Sequence, residues 1–152
     1  MKKRFFTWGL CLLLVGLVAG VAYAQFVKTE EAIKYRQSVM SVIGTHFSRM
    51  GAMVKGEQPF TQASFEQNAE LVAILIKLPW DAFMMPGSDK GSKMKREALA
   101  QKDQFMGLAK ANEAEIAKLS AAAKTGDFNA VKSPFGAAGA SCKACHDAYR
   151  SR

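Results

Sequence analysis

Histidine and cysteine are scarce in this 152-residue chain, which has two of the first and three of the second. Two imidazoles leave no acid–base constellation for a catalyst, so no enzymatic activity is expected. There is no Lys/Arg block of the kind that marks nucleic-acid binding, and no such partner is expected. Alternating strand patterns, solenoid repeats and low-complexity linkers are also missing. What remains is apolar residues at helical spacing almost throughout, which points to an all-α protein.

The first two dozen residues read as a leader. Lys2, Lys3 and Arg4 precede an apolar run from about Phe5 to Val21, and Ala22-Tyr23-Ala24 supplies an A-x-A cleavage site before Gln25. The rival is a transmembrane anchor, since the run is near the lower length limit for a span. Cleavage after Ala24 removes Cys11 and leaves 25–152 as one domain in the periplasm, with no stable membrane insertion. It also lowers the formal charge from +8 to +5, a balance suited either to an acidic redox partner or simply to a solvated surface.

Four helices are expected. The first, about Thr29 to Lys55, carries a stripe of Ile33, Arg36, Met40, Ile43, Phe47, Met50 and Val54, with Gly56 just past its end. Thr61 caps a second helix reaching about Leu78, where Pro79 ends it. The connection from Trp80 to Gly91 holds Trp80, Phe83, Met84 and Met85, too apolar a load for a solvent loop, so it packs over a core or covers a ligand. Ser92 is expected to cap a third helix, about Lys93 to Lys124. Gly126 and Asp127 end that helix and begin a last one towards Arg150, in which Pro134 either kinks the helix or marks a restart. Long helices with short connections favour an antiparallel four-helix bundle.

Cys142-Lys143-Ala144-Cys145-His146 is the strongest signal. C-x-x-C-H attaches c-type haem, and on a helix both thiols and the imidazole share one face. Cys142 and Cys145 would then hold the haem on the last helix while His146 binds its iron. A thioredoxin-type pair would need a βαβ context. A structural zinc site needs four ligands, and outside the motif the chain offers His46 and no spare cysteine. A disulfide within a helical C-x-x-C is sterically poor, and a haem-free dithiol module is the remaining rival. His46 lies beside the first-helix stripe and reads as a surface or packing residue.

Three segments together resemble cytochrome c′, the class II cytochromes c. They are Lys34-Tyr35-Arg36-Gln37-Ser38-Val39-Met40, Leu78-Pro79-Trp80-Asp81-Ala82-Phe83, and Gly139 to Arg150 around the haem motif. The resemblance implies a homodimer with one haem c per chain. It implies a five-coordinate, high-spin iron with an apolar distal side that admits nitric oxide and carbon monoxide, in a buffering or detoxifying role compatible with slow electron transfer. It places Arg36 and Gln37 at the haem propionates, Met40, Trp80 and Phe83 in or beside the distal pocket, and Arg150 near the proximal histidine.

The residues themselves leave alternatives open. Arg36 is the one charge in its stripe and needs a partner or an exit to solvent. Met40 covers the iron, ligates it as in a low-spin His/Met electron carrier, or simply fills the core. Trp80 and Phe83 shield a haem edge or plug the bundle. Arg150 weakens His146 as a donor if the helix continues, or is solvated.

Overall fold

The computed structural model describes residues 26–152, so the expected leader and Cys11 lie outside the described residues. Four long helices are present: α1 (Thr29–Val54), α2 (Gln62–Leu75), α5 (Lys102–Ala123) and α6 (Phe128–Tyr149). Two single turns, α3 (Trp80–Phe83) and α4 (Glu97–Ala100), lie between α2 and α5. The long helices form the expected antiparallel bundle. None of the described helices is long and apolar enough to cross a membrane.

Local chemistry sets most helix ends where the sequence puts them. α1 has Glu30 and Glu31 in its first turn, against the positive end of the helix dipole. It closes in a Schellman motif: Gly56 takes φ 77°, its N–H donates to the Met53 carbonyl, and the Glu57 N–H donates to that of Ala52. Thr61 caps α2 by accepting from the Ser64 N–H, and Asp127 caps α6 by accepting from that of Asn129 at 2.8 Å. Each such cap contributes about 1 kcal/mol. α2 stops three residues earlier than expected, at Leu75, and Lys77 and Leu78 continue as a tight turn into Pro79. Pro134 lies inside an α6 that runs through it without interruption.

The expected third helix is corrected. Residues 93–95 are not helical, because they pair with the far end of α6 through an isolated antiparallel bridge at Met94: the Lys95 N–H donates to the Tyr149 carbonyl, and that of Ser151 to the Lys93 carbonyl, both at 2.9 Å. Ser92 therefore caps no helix there. Its hydroxyl accepts from the Met94 N–H in a local turn. The helical course starts only at α4 and breaks again at Gln101 (φ −112°, ψ 45°) before α5.

The core is continuous through the bundle. It includes Ile43 and Met50 of α1, Phe65 and Val72 of α2, Phe105, Ile116 and Leu119 of α5, and Val131 and Ala138 of α6. On α1 its centre also takes in Ala32, Val39 and Met53, while Met40, Phe47 and Val54 of the expected stripe are half-buried at its edge. α1 packs along α2, α2 along α5 and α5 along α6, but α1 and α6 meet more sparingly. Their meeting place is well defined. Phe47 and Phe135 stack at 4.5 Å, Gly51 lies under Phe135, and Gly139 lies against Phe47.

Candidate functional site

The pairs Gly51–Phe135 and Phe47–Gly139 set an antiparallel register, four residues along α1 for four back along α6. Projected two turns further along both helices, that register brings Met40 level with His146. Beyond the aromatic stack the two helices thus face each other with Met40 on one side and the C-x-x-C-H turn on the other.

Cys142 and Cys145 are half-buried free thiols, and Lys143 and Ala144 between them are exposed. Burial pushes both thiols above their ordinary pKa. At Cys142 this is partly opposed by a hydrogen bond from the Asn112 amide to Sγ at 3.2 Å, and at Cys145 the neighbouring Cys142 adds to it. Both are therefore protonated at neutral pH. His146 moves the other way. Desolvation lowers its pKa first, Arg150 lowers it further, and Asp147 opposes both. Both effects favour the neutral imidazole, which is the form a metal needs.

Arg150 differs from expectation in one respect. α6 ends at Tyr149, and Arg150 turns into extended backbone (φ −117°, ψ 129°) paired with Met94. It still lines the same groove as His146, together with Lys95, Lys143 and Asp147.

Arg36 is 2% exposed and is the best-anchored polar side chain in this part of the bundle. Nη1 donates to the Ala82 carbonyl (3.2 Å) and the Ser88 hydroxyl (2.9 Å), and Nη2 to the Ser88 carbonyl and the Ser92 hydroxyl (2.8 Å). Its guanidinium also lies over the Phe83 ring, 4.7 Å from the centroid. Burial lowers its pKa and Asp89 partly restores it. The partner that the sequence demanded for this charge is the folded connection, through carbonyls and hydroxyls and not through a carboxylate. Gln37 is separate from this network. It is exposed in a 680 Å³ surface cleft between the first turns of α1 and residues 87–91.

Trp80 and Phe83 belong to a chain of aromatic contacts running to the end of α6. Centroids lie 5.9 Å apart for Trp80–Phe83, 5.4 Å for Phe83–Phe105 and 5.3 Å for Phe105–Tyr149. Trp80 is buried, and its Nε1–H has no hydrogen-bond partner. A buried donor without an acceptor costs about 1–3 kcal/mol. An acceptor from outside the polypeptide, such as a haem carboxylate, would satisfy it.

His46 takes no part in the site. Its Nδ1 lies 2.7 Å from the Asn68 Oδ1 and ties α1 to α2. Among the described residues no group of three or more His, Cys, Asp or Glu could hold a bare metal ion. Two thiols and one imidazole on a single helical turn instead suit an iron that arrives already chelated. Asn112 was overlooked in the sequence, although the signal was there: Phe105, Ala109, Asn112, Ile116 and Leu119 form the inner stripe of α5, and an amide in that stripe must bond something. It bonds Cys142 and the Ser141 hydroxyl, the latter at 2.7 Å.

Known proteins resemble this chain in sequence and in fold. Residues 31–150 match the family model described as Cytochrome C'. The chain is 44% identical over 128 residues to the cytochrome c′ of Alcaligenes xylosoxydans xylosoxydans, covering 84% of this chain and 99% of the relative. The crystal structure of cytochrome c′ from Rubrivivax gelatinosus is 41% identical, superposes with a TM-score of 0.79, and is matched over 84% of this chain and all of its own. A nitric oxide complex of a leucine-to-alanine mutant of the Alcaligenes xylosoxidans protein also gives a TM-score of 0.79, at 43% identity, over 84% of this chain and 99% of its own.

Proposed function

The chain belongs to the cytochrome c′ family and so carries covalently attached haem c, and on that premise we propose that it is an exported, non-enzymatic protein that binds nitric oxide and carbon monoxide at a five-coordinate, high-spin iron. In this reading the leader is cleaved after Ala24, the mature chain works in the periplasm as a homodimer, and it buffers or detoxifies nitric oxide. The observation that carries it is the arrangement on α6: two unpaired thiols and a neutral-leaning imidazole on one turn, level with an apolar side chain on α1.

Each residue has a part in that reading. Cys142 and Cys145 would supply the two thioether sulfurs, and His146 the nitrogen that holds the iron. The bound haem supplies an iron with one exchangeable position. Met40, half-buried and packed against the core, would cover that position with a methyl-terminated side chain and keep water out. Phe83 and Trp80 close the apolar wall, with the Trp80 indole N–H directed to a haem carboxylate. Arg36 holds this wall in place through Ala82 and Ser88, and it and Gln37 lie on the side of α1 where the carboxylates would emerge. Arg150 adds to desolvation in favouring the neutral imidazole, and would make it a weaker donor to a bound iron.

The second reading also rests on the register that sets Met40 level with His146. There the Met40 sulfur ligates the iron and the protein is a low-spin electron carrier. Optical spectra of the haem-loaded protein, oxidised and reduced, with and without nitric oxide, separate the two. A high-spin spectrum that shifts at once with the gas is expected. A low-spin spectrum with a sulfur-to-iron band, unmoved by the gas, would replace gas binding with electron transfer.

A further inference from the structure

The groove beside His146 holds nearly all of the mature chain's net charge. Its 670 Å³ are lined by five cations, Lys93, Lys95, Lys143, Arg150 and Arg152, against one acid, Asp147. That is a local charge of +4. Residues 25–152 together carry +5, which is the chain's +8 less Lys2, Lys3 and Arg4. The rest of the bundle is therefore close to neutral.

Only part of this charge is used by the fold. The half-buried Lys95 donates to the Asp147 and Ala148 carbonyls at the end of α6, and Lys143 pairs with Asp147. Lys93, Arg150 and Arg152 take part in none of the ion pairs among the described residues. Like charges gathered on one face repel one another, while their joint field reaches into solvent over a Debye length of about 8 Å at physiological salt.

We propose that this groove is the docking surface for an acidic redox protein, which seats over His146 and exchanges one electron with the haem. The proposal rests on the reading of His146 as the iron ligand. One electron leaves the reduced partner and enters this protein, which gives the oxidised partner and the reduced haem protein, with no atom or proton transferred. Two other occupants fit less well. A small anion would need a desolvated charge to hold it, and apart from the half-buried Lys95 every cation of the groove is exposed. A lipid surface would need apolar side chains to insert, and none of the exposed large apolar residues, Val27, Val42, Ile74 and Leu78, lines the groove.

The test uses the haem-loaded protein and stopped-flow reduction by a plant-type ferredoxin, an acidic one-electron donor, with hexaammineruthenium(II) as a cationic comparison. The double variant Lys93→Glu/Arg152→Glu leaves the Lys143–Asp147 pair intact. Its control, Lys55→Glu/Lys132→Glu, makes the same change in net charge at the far end of α1 and α6. The ferredoxin rate at low salt should fall more than tenfold in the groove variant and less than threefold in the control, and the groove variant should lose most of the wild-type salt dependence. Equal losses in both would mean that only net charge acts and would overturn the proposal. So would an unchanged ferredoxin rate together with loss of co-sedimentation with phosphatidylglycerol vesicles, which would assign the groove to membranes. If no Soret band is present, the haem reading itself has failed.

Discussion

Replacing Arg36 by methionine tests the most specific energetic statement the fold makes. The substitution keeps an apolar stem of similar length and removes a guanidinium that serves four acceptors on the connection. Hydrogen bonds from a charged donor contribute about 1.5–3 kcal/mol each, and the cation–π contact with Phe83 about 1 kcal/mol more. Against this stands relief of the desolvation of a buried cation, which costs several kcal/mol. The Ser88 carbonyl keeps a bond from the Ser92 hydroxyl, whereas the Ala82 carbonyl loses its side-chain donor. The net loss should be about 2–4 kcal/mol, and for a chain of this size that lowers Tm by about 10 °C. Circular dichroism of the haem-loaded protein during heating gives the number, and limited proteolysis should cut faster between Met84 and Arg96. Arg36→Lys should recover less than half of the loss, because one ammonium does not reach four acceptors spread over Ala82, Ser88 and Ser92. A Tm within about 2 °C of wild type for Arg36→Met would refute the reasoning and show that the connection holds itself.

Three further outcomes follow from the same geometry. The double variant Cys142→Ala/Cys145→Ala should lose all acid-stable haem on acetone extraction, while each single variant retains haem through the remaining sulfur. Asn112→Ala removes the hydrogen bond that favours the Cys142 thiolate, so alkylation of the haem-free protein at that thiol should slow a few-fold at pH 8; a faster reaction would mean that Asn112 shields the sulfur instead. Gly126→Ala places a Cβ at φ 72° and towards the Gln62 amide. Since that exposed side chain can move, the cost should be backbone strain of about 1–2 kcal/mol, read in urea titrations.

Much of this was legible because local chemistry fixed it. The Thr61 and Asp127 caps, the glycines at 56 and 126, and the C-x-x-C-H turn each act within a few residues. The stripe on α1 was legible in period, and Arg36 was legible as a charge that demanded a partner. The identity of that partner was not, because it depends on residues 82–92 folding back across nearly 50 positions of sequence. The start of the third helix failed for the same reason. Ser92 followed by a helical pattern is a sound N-terminal signal, but it is overruled by backbone pairing with residues 149–151, which leaves no trace in local composition. Arg150 shows both sides: its nearness to His146 could be read from spacing, whereas its departure from the helix could not.

The strap between residues 93–95 and the end of α6 has a consequence for local opening. A helix terminus ordinarily frays, since its last carbonyls have no partners. Here the Lys95 ammonium takes the Asp147 and Ala148 carbonyls, and its backbone N–H takes that of Tyr149. The turn that carries His146 is thus fastened on the side where it would otherwise unwind. The strap fixes the backbone from which the His146 side chain projects, and leaves the exposed ring its own torsions. The end of the chain therefore acts as a clasp, and cutting it would loosen the C-x-x-C-H turn before it loosened the rest of the bundle.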